Sequence, residues 1–348
     1  VPCGEFKTSY RQLMGLLRWR IHWAGLAASL PLIALFPLLV RSDPYFIGIA
    51  TQVMIAATAV QGLNLILGYT GQISLAQGGL MAIGAYTFAI LMRDFNMPWP
   101  LAMVLGALVA GLVGVAFGSP AIKIKLFYVA ISTLALQFFV EFVVSSPTYA
   151  HVFGGSHGIY VGRLFPIEVH HVATYYVALV ASALTTLAVA NISRTSLGRA
   201  LKAVRDNDVA AQVLGIDVPK AKLVAFGIGS FFVGLAGTVW AIWIAQINPE
   251  QFTLDTTLDH YAILIFGGLG RVWGPWVGSM IIIPLIEGLK LFLPQISPAY
   301  GVYLAPLKLI ILSSIIITLL IVEPKGVTEG LRKVKEYFRL WPYAYERG

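Results

Sequence analysis

Nine apolar runs, near residues 24–40, 47–67, 76–92, 99–118, 126–145, 173–190, 223–245, 274–290 and 302–322, leave this chain few ways to fold. A helical run of about 20 apolar residues matches the roughly 30 Å hydrocarbon core of a bilayer. Lipid offers no hydrogen bonds, so a spanning segment must satisfy its own backbone, and a helix does. A transmembrane β-barrel would instead alternate apolar and polar residues over short segments, and these runs do not alternate. With 58% hydrophobic and only 11% charged residues, the chain also lies far from the soluble balance. The expected fold is an all-α polytopic membrane protein of about 8–10 transmembrane segments, broken or short helices among them. Residues 1–23 read as a cytoplasmic amino-terminal tail, 24–322 as the transmembrane domain with a polar loop at 191–222, and 323–348 as a cytoplasmic carboxy-terminal tail.

The formal charge of +8 has a membrane explanation rather than a nucleic-acid one. Basic residues gather in the amino-terminal tail (Lys7, Arg11, Arg18, Arg20), the 191–222 loop and the carboxy-terminal tail (Lys325, Arg332, Lys333, Lys335, Arg339). That bias places all three on the inner side. Cys3 is the only cysteine, which excludes an intrachain disulfide and a cysteine-built metal site. His151, His157, His170 and His171 match no zinc spacing, so no metal site is expected. The first apolar run reads as a spanning helix rather than a cleaved leader.

Polar residues inside the runs mark where side chains need partners. The second run carries Thr51, Gln52, Thr58, Gln61 and Asn64 with no charge. Each fits helix-to-helix hydrogen bonding, with the lining of a translocation path as the functional alternative. The next stretch, Gly68 to Leu91, has glycines at 68, 71, 78, 79 and 84 beside Gln72, Ser74 and Gln77. That density permits a broken helix or close backbone approach. In the fifth run Thr133, Gln137 and Glu141 share one face. A second interruption, FGGLGRVWGPWVG, covers Phe266–Gly278. Splitting the passage at Arg271 yields a short inward segment, Leu258–Leu269, and an outward one, Gly274–Lys290. The split also keeps both basic tails on one side. Corresponding broken segments in two halves point to a midplane path and to a two-half pseudo-repeat. The path candidates are Gln61, Asn64, Gly71, Gln72, Ser74, Gln77, Gly267, Gly268 and Gly270.

The loop Asn191–Lys222 is the longest charged passage between apolar runs. Its pattern predicts two short helices, Leu197–Val204 and Val209–Leu214, with Ser196 and Asp208 as caps and Gly215 as a stop. Small and apolar residues interleaved with its bases make faces that can fill a partner's groove.

Three passages carry a family resemblance: GYTGQISLAQGGLMAIGAYT at 68–87, GRALKAVRDNDVAAQVLGIDVPKAKLVAFGIGSFFVGLAGTVWA at 198–241, and ILIFGGLGRVWGPWVGS at 263–279. Together they resemble the LivH/LivM permease family of branched-chain amino acid importers of the ATP-binding cassette class. The resemblance extends over about residues 25–325. It implies that the 191–222 loop is the coupling element that seats in an ATPase, with Arg205, Asp208, Ala210, Ala211, Leu214 and Gly215 as its docking residues. Asp208 stands where the family pattern has a longer acidic residue. The same resemblance implies a second related permease, two cytoplasmic ATPase subunits holding ATP and Mg, and an extracytoplasmic solute-binding protein, all at a bacterial inner membrane. The chain has no GxxxxGK[ST] phosphate cradle, so no catalytic or cofactor site is expected in it. Import of urea or a short amide is the alternative, and an ion-coupled carrier a further one. A carrier would call for a buried carboxylate in the path, and the central runs hold no clear one.

Overall fold

The computed structural model describes residues 33–40, 43–119, 126–162, 164–166, 169–296, 304–323, 326–330 and 332–333. The amino-terminal tail, most of the first apolar run, the Lys123 and Lys125 turn, Pro324-Lys325 and most of the carboxy-terminal tail lie outside them. In chain order the principal helices are α1 (Pro44–Leu63), α2 (Gln77–Phe95), α3 (Trp99–Gly118), α4 (Leu126–Ser145), α5 (His170–Ile192), α6 (Ser196–Asp206), α7 (Asp208–Val213), α8 (Val218–Ile244), α9 (Leu254–Gly267), α10 (Gly274–Ile296) and α11 (Leu304–Val322). A π-helical turn, Asn64–Tyr69, prolongs α1. The strands β1 (Ile159–Tyr160) and β2 (Gln246–Ile247) form a small antiparallel pair with Ile159 opposite Ile247. Among the described residues six helices are long and apolar enough to cross a membrane: Pro44–Tyr69, Trp99–Gly118, Tyr128–Ser145, His170–Ile192, Val218–Ile244 and Gly274–Leu291. The architecture is that of an all-α polytopic membrane protein.

Small residues decide which helices touch. On α3 the buried positions Ala102, Gly106, Ala110, Gly114 and Gly118 recur every fourth residue, while Leu101, Val104, Leu108 and Leu112 are exposed on another face. Helix association in lipid depends on close packing rather than on hydrophobicity, so the small stripe turns inward and the leucines outward. The stripe meets Phe226, Ser230 and Gly234 of α8, again at every fourth residue. Gly84 of α2 joins the same contact, where an added Cβ would overlap the Gly234 carbonyl oxygen and lie 2.7 Å from the Gly234 Cα. Thr51 and Thr58 of α1 donate to the carbonyls of Ile47 and Met54, one turn back in their own helix, at 2.8 Å each.

The interruption near Arg271 is a true reversal. Helix α9 ends at Gly267, the chain turns through residues 268–273, and α10 runs back beside α9. The short segment is Leu254–Gly267, four residues earlier at its start than the sequence pattern indicates, because the apolar pattern does not register Leu254–Thr257 as helix. Its 14 residues rise about 21 Å, less than a hydrocarbon core. At the other end of the bundle His170 lies at the start of α5 with Nε2 3.3 Å from the Trp243 carbonyl. Among the described residues no three His, Cys, Asp or Glu side chains gather as a metal-holding group.

The two helices of the 191–222 loop form, with their caps one residue earlier than the sequence suggests. Thr195 Oγ1 accepts from the Gly198 amide at 3.4 Å, and Asn207 Oδ1 accepts from the Ala210 amide at 3.0 Å. Thr195 and Asn207 take extended backbone, which is what a capping residue needs, whereas Ser196 and Asp208 are already helical. Gly215, with φ +82°, stops α7.

Candidate functional site

After Tyr69 the helix unwinds, and Gly71–Ala76 runs back beside α1 until Gln77 Nε2 donates to the Ala59 carbonyl at 2.8 Å. Ala59 lies ten residues before Tyr69, about 15 Å along the helix axis at 1.5 Å per residue. Unwound backbone at this depth survives only where protein groups satisfy it, and side chains from α4 and α9 do so. The Tyr261 hydroxyl donates to the Ser74 carbonyl at 2.9 Å and accepts from the Ser74 amide at 3.0 Å. Thr133 Oγ1 accepts from the Leu75 amide at 2.9 Å, Thr257 Oγ1 from the Gly78 amide at 3.0 Å, and Gln137 Oε1 from the Gly79 amide at 2.6 Å. Gln137 Nε2 in turn holds the Phe252 carbonyl at 2.7 Å.

Tyr261 and Thr257 were not candidates from sequence, and Thr133 and Gln137 carried no assigned task. A usable signal existed: each pair sits four residues apart, so each helix presents two hydrogen-bonding groups on one face. Replacing Tyr261 by phenylalanine leaves both backbone groups of Ser74 without that partner. The expected cost is about 1–3 kcal/mol, read as a lower unfolding temperature in detergent; a Tyr261→Phe protein as stable as the parent would show that the hydroxyl does not hold the segment.

The second interruption meets the first. Asn64 Nδ2 donates to the Arg271 carbonyl at 2.9 Å, and Asn64 Oδ1 accepts from the Gly270 amide at 2.8 Å. Gln61 Nε2 donates to the Val272 carbonyl at 2.7 Å. Gly68 and Gly270 lie back to back: a Cβ on Gly68 would stand 2.5 Å from the Gly270 nitrogen. Gly270 has φ +72° and Gly268 φ +113°, both in the region that favours glycine. On the far side of this turn Thr328 donates to the Gly267 carbonyl, and the buried Glu329 pairs with Arg271 and Arg332.

Helices α6 and α7 close over the junction. Arg205 Nη1 donates to the Gly68 carbonyl at 2.9 Å, so one arm of the guanidinium reaches the junction while the side chain stays 37% exposed. Lys202 Nζ stands 5.2 Å from the centre of the Tyr69 ring, and burial, followed by the neighbouring Arg205 cation, pulls its pKa below the ordinary value. Ala211 is buried with Leu65, Tyr69, Leu201 and Phe232, whereas Ala210 is exposed. Val209, Val213 and Leu214 are 67%, 83% and 79% exposed. Asp208 lies 3.7 Å from Lys222. A short helix is thus anchored by one face and offers an apolar edge from the other.

Of the path candidates, Gln61, Asn64, Gln72, Ser74 and Gln77 are all buried. Four oxygens in this set, Gln61 Oε1, Gln72 Oε1, Ser74 Oγ and Gln77 Oε1, have no hydrogen-bond partner. At 0–2% exposure these side chains are packed among the helices.

Residues 45–322 match the family described as branched-chain amino acid transport system, permease component. The high-affinity branched-chain amino acid transport system permease protein LivM of Salmonella typhimurium is 28% identical over 264 residues, covering 68% of this chain and 62% of that protein. LivM of Escherichia coli K12 is 29% identical over 285 residues, covering 74% and 66%. The match therefore spans less than two thirds of the length of either LivM protein. The ribose import permease protein RbsC of Escherichia coli K12 is 25% identical over 299 residues, covering 78% and 87%. No solved structure gives a significant match. A family match over most of the chain, carried by a polytopic helical fold, means that this chain belongs to the branched-chain amino acid transport permease family.

Proposed function

We propose that this chain is the permease subunit of an ATP-driven importer for branched-chain amino acids, working by alternating access in a bacterial cytoplasmic membrane. It pairs with a second related permease, receives substrate from an extracytoplasmic binding protein, and is driven by two cytoplasmic ATPase subunits that hold ATP and Mg. The α6–α7 end and both tails face the cytoplasm. The observation that carries this reading is α7, a short helix fixed by Ala211 that presents Val209, Val213 and Leu214 to a partner's cleft. The family match and the LivM relatives support the substrate class, and the path candidates Gln61, Gln72, Ser74 and Gln77 are uncharged. Uncharged acceptors give an ammonium group partners without the deep trap that a carboxylate would make.

The exposed Ala210 gives the cleanest test of docking, because a change at the buried Ala211 would disturb packing as well. Ala210→Arg is expected to reduce co-purification of the ATPase by about ten-fold or more with the yield of membrane-inserted permease unchanged. Undiminished association would remove α7 from the docking surface. Uptake and stimulated ATP hydrolysis in liposomes, with the cognate binding protein and a panel of leucine, isoleucine, valine, neutral amides, urea and ribose, test the substrate. Ribose belongs in the panel because RbsC is a relative at comparable identity.

A further inference from the structure

We propose that Arg205 is the positioning residue through which movement of α6 and α7 reaches both interrupted segments at once. This rests on the coupling role proposed for that loop and names the side chain that does the transmitting. When α1 ends at Tyr69 its last carbonyls lose their helical partners, and such a terminus favours a cation. The Gly68 carbonyl takes Arg205 Nη1 at 2.9 Å. Asp206 Oδ1 accepts from the other two arms of the guanidinium, Nε at 3.1 Å and Nη2 at 2.9 Å, which fixes the orientation of the fork.

Steric fit ties the same side chain to all three strands of the junction. A Cβ added to Gly71 would stand 3.2 Å from Arg205 Cγ, so the arginine stem lies against the start of the unwound segment. A Cβ added to Gly270 would stand 2.8 Å from Arg205 Nη1 and 2.8 Å from the Gly68 oxygen. The stem therefore takes the space beside Gly71 and one guanidinium nitrogen the space beside Gly270. Asn64 bonds Gly270 and Arg271 from the α1 side, so a pull on Gly68 carries the α9–α10 turn with it. Arg205 is a docking candidate from the family resemblance; in the fold its Nη1 also reaches the Gly68 carbonyl from α6, the helix before the one that carries Val209 and Val213.

The test uses the complete importer in liposomes with its binding protein, reading substrate taken up per ATP hydrolysed. Arg205→Met keeps the stem against Gly71 and removes the donor. Because one charged hydrogen bond biases an equilibrium by about ten-fold or more, this ratio is expected to fall about ten-fold while the ATPase subunits still co-purify. Arg205→Lys, which retains a cation one bond short of Nη1, is expected to recover part of the ratio. A parent-like ratio in Arg205→Met, or an Arg205→Lys protein no better than Arg205→Met, overturns the assignment. Loss of ATPase co-purification in Arg205→Met also overturns it, by returning Arg205 to the docking surface. A parent protein that transports without any ATPase would overturn the importer reading itself, and that result appears before any variant is made.

Discussion

Asn64→Ala is expected to cost about 1–3 kcal/mol of stability in detergent, because it leaves the Gly270 amide without its partner and takes one of two donors from the Arg271 carbonyl. Both backbone groups are served by one fully buried carboxamide. The Arg271 carbonyl keeps the Gly274 amide at 3.3 Å, whereas the Gly270 amide sits where the turn at 268–273 has left the α9 ladder and α10 has not begun. Thr58→Val is the matched control. Thr58 is equally buried in the same helix but bonds only a carbonyl of its own helix, so its loss should stay within about 1 kcal/mol. Equal unfolding temperatures for the two variants would sink the view that Asn64 staples the interrupted segments together.

Gly84→Ala should be at least as damaging, and through packing alone. The added methyl meets backbone of Gly234 in a neighbouring helix, and Gly106 in turn lies against the Gly84 carbonyl. Neither neighbour is a flexible side-chain tip, so α2 and α8 must separate, at a cost of about 3 kcal/mol or more. Gly288 of α10 supplies the contrast, with nothing within 4 Å of an added Cβ. Gly288→Ala should be neutral or stabilising by about 1 kcal/mol, since alanine is the better helix former. Thermal unfolding of the two single variants separates these outcomes, and parallel behaviour would mean that glycine content rather than helix contact governs stability.

Much of the fold was legible along the chain because lipid imposes a one-dimensional rule. Runs at 47–67, 99–118, 126–145, 173–190, 223–245 and 274–290 correspond to α1, α3, α4, α5, α8 and α10. The break near Arg271 was legible from glycine density and from the wish to keep both basic tails on one side, and a reversal stands there. The two helices between Asn191 and Lys222 were legible from their pattern, with the caps misplaced by one residue because Thr195 and Asn207 compete equally well for that task.

Pairings between distant residues were not legible. Gln61 and Asn64 lie more than 200 residues from the backbone they hold, and Tyr261 lies 187 from Ser74. In the sequence alone a buried glutamine that bonds a neighbouring turn cannot be told from one that faces a solute. Arg205 shows the same limit, since a basic residue on a short amphipathic helix has two faces to choose from and only packing chooses. By itself the sequence determined the membrane class, the segment order and the two interruptions, because each depends on apolar length and local backbone chemistry. That the interruptions meet at one junction, with Arg205 and Asn64 between them, was decided by the tertiary structure, because unwound backbone in a bundle takes its hydrogen bonds from whichever elements pack beside it.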